Sequence, residues 1–155
     1  MNKAILIGTV LLAISFGGYR YMKTRGLRNN NPGNIRRDGR TMWQGLAATQ
    51  TDPSFWQFTD PVYGIRALAK ILHNYNAIYG LNTVREIISR WAPPNENDTG
   101  AYVNAVAADL GVGPDEPINV DSRMNDLVAA IIHHENGTQP YDLATVSTGV
   151  NLAVA

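Results

Sequence analysis

Glu135 closes the run Ile131-Ile132-His133-His134-Glu135-Asn136-Gly137, and its position could do chemistry. Met124, Leu127, Val128, Ile131 and Ile132 recur at helical spacing. Glu135 follows Ile131 by four residues and Ile132 by three, so it continues the same apolar stripe at the end of a helix. A carboxylate there faces the negative end of the helix macrodipole and an apolar surround, and both oppose its ionisation. A carboxyl that keeps its proton near neutral pH is what a glycosidic general acid requires. The plainer reading is an exposed Glu at a frayed helix end, or one paired with His134 or an arginine.

Two further segments carry candidate chemistry. In Trp91-Ala92-Pro93-Pro94-Asn95-Glu96-Asn97-Asp98-Thr99 a polar, acidic loop lies beside an aromatic residue. Aromatic faces stack on sugar rings, and Asn and Asp side chains bind hydroxyls. For Asp98 and Thr99 a helix N-cap is the simpler role. The second segment is Asn29-Asn30-Asn31-Pro32-Gly33-Asn34-Ile35-Arg36. Asn-Pro-Gly is strong turn chemistry, and the further Asn side chains are more than a turn needs. They could present amides to N-acetyl sugars or to a peptide. His133, His134 and the isolated His73 lack the spacing of a helical metal motif, and no phosphate-binding or nucleophile-elbow pattern occurs.

These groups must be held by one small domain. The chain has 155 residues, 45% of them hydrophobic, and no Cys, so neither a disulfide framework nor a Cys-ligated metal is available. Net charge is zero but unevenly spread: residues 1–40 hold eight Lys/Arg and only Asp38 as an acid, whereas residues 41–155 hold five Lys/Arg and twelve Asp/Glu. An acidic body argues against generic nucleic-acid binding.

Ala4 to Gly18 is uncharged and apolar, with Lys3 before it and Arg20, Lys23, Arg25 and Arg28 after it. Those fifteen residues reach about 22 Å as a helix, short of a hydrocarbon core of roughly 30 Å. Tyr19, Tyr21 and Met22 lengthen the segment, and Lys3 and Arg20 can snorkel. A transmembrane anchor over residues 1–22 is therefore expected, with a cleaved signal peptide as the rival. The positive-inside rule puts the domain on the cytoplasmic side or inside a particle.

Residues 23–28 read as a linker, followed by loops to Phe58, with at most a short strand or hairpin around Trp43 to Phe58. From Pro61 the period is helical: Ile65, Leu68, Ala69, Leu72, Tyr75 and Tyr79 share a face, and Gly80 ends it. Thr83-Val84-Arg85-Glu86 is a capping box for a helix to Trp91, stopped by Pro93-Pro94. A third helix spans Thr99 to Leu110, and a fourth is capped by Asp121 and closed by Gly137. Residues 143–155 form a small apolar tail whose state stays open.

The pattern resembles a family of bacteriophage virion proteins that look lysozyme-like. It is carried by Gly26 to Arg36 (GLRNNNPGNIR), Trp43-Gln44-Gly45, Phe55, Phe58, Gly64-Ile65-Arg66, Arg90 to Thr99, and His134 to Gly137, covering about residues 26–142. A second similarity is to glucosaminidases of the lysozyme superfamily. Asn30 to Arg36, Trp43 to Gly45, Phe55 to Phe58, Tyr63-Gly64-Ile65 and Glu96 to Tyr102 are similar to successive segments of those enzymes. Their catalytic Glu comes early in the chain, whereas here no Glu precedes Glu86.

The expectation is thus a mainly α, lysozyme-like helical domain over residues 29–142, circularly permuted so that the last helix replaces the usual first, with an N-terminal transmembrane helix. The resemblance implies cleavage of the glycan strand of peptidoglycan by a membrane-anchored virion protein, acting locally during genome entry. Glu135 would be the acid, and Glu96 or Asp98 could position water. A lytic transglycosylase needs only one Glu. Without the permutation, Glu96 becomes the best acid. Asn30, Asn31, Asn34, Trp91, Asp98 and Tyr102 are the expected glycan contacts. Expected partners are peptidoglycan, membrane lipid and other virion proteins, with no nucleic acid, cofactor or metal. The rivals are a non-catalytic virion protein that binds the wall or scaffolds the capsid membrane, and a peptidoglycan endopeptidase.

Overall fold

The computed structural model describes residues 23–94 and 98–155. The described chain is mainly helical: α1 Arg25–Arg28, α2 Pro61–Tyr79, α3 Val84–Trp91, α4 Thr99–Leu110, α5 Met124–Asn136 and α6 Leu143–Val154. The expected fold class is corrected in one respect. Among the described residues no helix is long and apolar enough to cross a membrane. The anchor expected over residues 1–22 lies outside the described residues, and the described residues form a helical domain.

Local chemistry explains most helix ends. Asp60 caps α2 by accepting from the Val62 amide at 2.8 Å, with Pro61 in the first turn, where a missing N–H costs nothing. Gly80 ends α2 in the left-handed region at φ 69°. Thr83 and Glu86 form the full capping box of α3. Asp98 accepts from Ala101 N at 3.1 Å, so the N-cap role holds for that residue. One expected start was wrong. Asp121 does not cap α5, which begins at Met124 after Arg123 with no side-chain cap; Asp121 instead faces His73 at 3.2 Å.

Two segments read as peripheral belong to the domain. Residues 23–28, expected to be a linker, contain α1, whose Gly26 and Leu27 are buried. The expected tail is α6, capped by Asp142 and packed along α2. Gly149 makes that packing close. A Cβ there would stand 2.5 Å from Ile65 Cγ2 and 2.9 Å from the Val62 carbonyl, so only Gly lets the helices approach this far.

The core lies between α2, α3, α4, α5 and α6. Ile65, Leu68, Leu72, Ile87, Ile88, Leu127, Ile131 and Ile132 are fully buried, each contributing roughly 1.5–3 kcal/mol. Against one end of this core lies the loop from Asn29 to Thr59. It holds no strand, only antiparallel bridges at Arg36–Phe55 and Leu46–Phe58. Gly64 admits the loop: a Cβ there would meet the Asn30 carbonyl oxygen at 2.1 Å.

Candidate active site

Glu135 lies one residue before the end of α5, half-buried. Three donors from three other parts of the chain converge on its carboxylate. Asn34 Nδ2 donates to Oε2 at 2.9 Å. Trp91 Nε1 donates to Oε1 at 3.2 Å and the Tyr102 hydroxyl donates to Oε1 at 2.8 Å. Trp91 ends α3 and Tyr102 lies in the first turn of α4. The carboxylate is therefore not in the apolar surround that its stripe predicts, because the tertiary fold turns polar edges toward it.

Burial, followed by the neighbouring Glu135 charge and the hydrogen bond to it, pushes the Tyr102 phenol far above its ordinary range. Tyr102 thus stays protonated and always offers its O–H. Its ring stacks on His134, centroids 3.6 Å apart at an interplanar angle of 18°. The other histidines of the region are turned elsewhere. His133 lies 2.7 Å from Asp109 and His73 pairs with Asp121. Among the described residues no group of three or more His, Cys, Asp or Glu is placed to hold a metal.

Glu135 opens on two hollows. The larger, of about 400 Å³, runs between the Gly33–Arg36 loop with Phe55 on one side and Ile71, Tyr75, Trp91, Ala92 and Pro93 on the other. The smaller, of about 250 Å³, is lined by Asp98, Ala101, Tyr102 and His134. Together they give a carboxylate flanked by aromatic and amide groups, with a second acid, Asp98, in the adjoining hollow.

The asparagines divide sharply. Asn30 and Asn34 both adopt φ 51°, the left-handed region that Asn tolerates better than most residues. Only Asn34 reaches Glu135. Asn30 donates to the Phe58 carbonyl at 3.0 Å. Asn31 is sealed at 0% exposure; its Nδ2 donates to the carbonyls of Ile35 and Trp56, and its Oδ1 accepts from Ile35 N, each at 2.9 Å. The expected glycan contact at Asn31 is corrected to an internal staple, since every polar atom of its side chain is used within the fold. Glu96 lies outside the described residues.

Sequence reasoning missed Asn136. It is buried, donates to the carbonyls of Pro32 at 2.8 Å and Ile132 at 2.9 Å, and accepts from the Thr24 hydroxyl. It thereby locks the loop and α1 against the last turn of α5. A polar residue on the same stripe, one position after Glu135, was the available signal. Arg36, Phe55 and Tyr75 were missed as groove walls because nothing local marks them.

No family model matches the chain. It is similar to a bacteriophage protein, with 44% identity over 127 residues spanning 81% of this chain and 79% of the relative. That relative is Protein P5 of Pseudoalteromonas phage PM2, and the chain belongs to its family.

Proposed function

We propose that this phage protein is a virion-associated enzyme that cleaves the glycan strand of peptidoglycan, with Glu135 as general acid. One observation carries the reading: Glu135 is half-buried at the mouth of a groove and fixed by donors from Asn34, Trp91 and Tyr102. Oε1 already accepts from two donors, which occupy both its lone pairs, whereas Oε2 accepts from one. Oε2 is then the oxygen with room for a proton, on the Asn34 side of the site. A glycosidic oxygen seated there would take that proton as the C–O bond breaks. Trp91 and Tyr75 place aromatic rings on the groove wall, against which sugars can pack.

The contact between Asn34, ahead of α2, and Glu135, 101 residues later, brings the loop to the acid. Asp98 in the adjoining hollow supplies a candidate for orienting water. Without that help the substrate's own hydroxyl attacks, as in transglycosylation.

A non-catalytic virion protein that binds wall is the second reading. It is favoured by the same three hydrogen bonds, which also make Glu135 a cross-link between α3, α4, α5 and the loop. Zymography on peptidoglycan with wild type and Glu135→Gln separates the two. Clearing by wild type and not by the variant supports the acid. Equal clearing overturns the Glu135 assignment, and no clearing by wild type favours the binding protein. Mass spectrometry of released fragments adds the bond: cut peptides on intact glycan would overturn glycan cleavage.

A further inference from the structure

Glu135 lines both the larger hollow and the smaller one, so it stands between them. The smaller hollow continues beyond the acid. His134 lines it and also a third hollow of about 350 Å³, which Ala105 and Ala108 of α4 and Gly137 after α5 share. Along α4 the lining passes from Ala101 to Ala108, about 10 Å at the helical rise.

His134 is the side chain common to these two hollows, and it differs from the other histidines. His133 lies 2.7 Å from Asp109 and His73 lies 3.2 Å from Asp121. His134 pairs with no acid among the described residues; its partner is the Tyr102 ring, stacked at 3.6 Å. Tyr102 is buried and tied to Glu135 by its hydroxyl, so it is a fixed backing. His134 itself is exposed. With one face on Tyr102, it is left the other face and the ring edge for its exposed surface. An aromatic face with a nitrogen donor and acceptor at its edge suits a sugar, which packs its ring carbons and hydrogen-bonds its hydroxyls. Successive residues of a helix point about 100° apart. The last turn of α5 thereby gives the acid to the groove and the imidazole to the next hollow.

We infer that His134 is the platform for the sugar on the far side of the scissile bond from Trp91, so that the strand runs past Glu135 from the larger hollow into the smaller. This inference rests on glycan cleavage as proposed above.

The test is calorimetric titration of the full chain carrying Glu135→Gln, which leaves the ligand uncut, with peptide-free glycan disaccharide, tetrasaccharide and hexasaccharide from amidase-stripped sacculi. Affinity should rise about tenfold between disaccharide and tetrasaccharide, as the strand comes to span both hollows. Adding His134→Ala should remove that step. Adding His134→Phe, which keeps a ring face without the nitrogens, should keep part of it. Adding Tyr102→Phe leaves both rings in place and should keep the whole step, which separates a sugar contact at His134 from an effect passed through Tyr102 to residue 135. Circular dichroism melts check the fold of each variant. Absence of the step in the parent, a step unchanged in His134→Ala, or one lost equally in His134→Phe and His134→Ala each overturns the platform. Clearing is read separately on the wild-type chain. The length step without clearing sinks the Glu135 acid and keeps the platform. Clearing without the step does the reverse.

Discussion

Glu135 and Asn136 are neighbours at the end of α5, and they sit in two different kinds of polar cluster. Around Asn136 every polar atom is matched inside the fold: Thr24, Pro32 and Ile132 use the side chain completely, and water is shut out. Asn31 repeats that arrangement a few residues along the loop. Around Glu135 the donors come from side chains, and the carboxylate still opens on two hollows. The difference teaches how to tell scaffold from chemistry here. A sealed amide satisfying backbone groups fixes the loop. An open carboxylate held by side chains leaves an oxygen for a substrate.

Four substitutions would break or sharpen that contrast. The largest effect is expected at Glu135→Gln, which should lower peptidoglycan clearing more than about 100-fold with a small change in melting temperature; turbidity assays and calorimetry measure the two. Asn31→Ala should do the opposite. It orphans the buried Ile35 amide and Trp56 carbonyl and takes one of two donors from the Ile35 carbonyl, and should cost about 3 kcal/mol in urea unfolding, while clearing per folded molecule stays close to wild type. If Asn31→Ala instead removed clearing in a stable protein, the sealed cluster would not be merely scaffold.

Tyr102→Phe removes one of the two donors to Oε1 and should destabilise by about 1 kcal/mol in urea unfolding, with a several-fold fall in clearing. Unchanged clearing would detach Tyr102 from the acid. The smallest effect is expected at Asp52. The Arg25 pair, helped by donors from Asn29 and the amides of Ser54 and Phe55, holds its carboxyl well below the ordinary value of 3.8. A depressed folded value means the stabilisation is present above that ordinary value and fades as pH falls below it. Acid unfolding of wild type should therefore steepen below about pH 4, and Asp52→Asn should flatten that limb while lowering stability at pH 7. An unchanged limb would remove Asp52 from the acid response.

Much of the helical frame was legible because its signals are local. The Thr83–Glu86 box, the stop at Gly80 and the cap at Asp98 all act within one helical turn. α6 was not legible. Its residues are small, and Gly149 in mid-helix reads as a breaker until Ile65 of α2 is seen lying against it. α1 was missed because four residues carry no period. Asp121 misled because a good capping residue lies near a helix start without being at it.

For the site, the sequence by itself determined that Glu135 ends an apolar stripe and that Trp91, Tyr102 and an Asn-rich turn were available. Only the tertiary structure decided which asparagine meets the carboxylate, and that Asn31 and Asn136 are scaffold. Caps and stripes follow from contacts three or four residues apart, which any reading of spacing can find. The Asn34–Glu135 bond joins positions 101 residues apart. Its existence depends on where Gly64 lets the loop settle and how Asn136 pins it, which are consequences of packing.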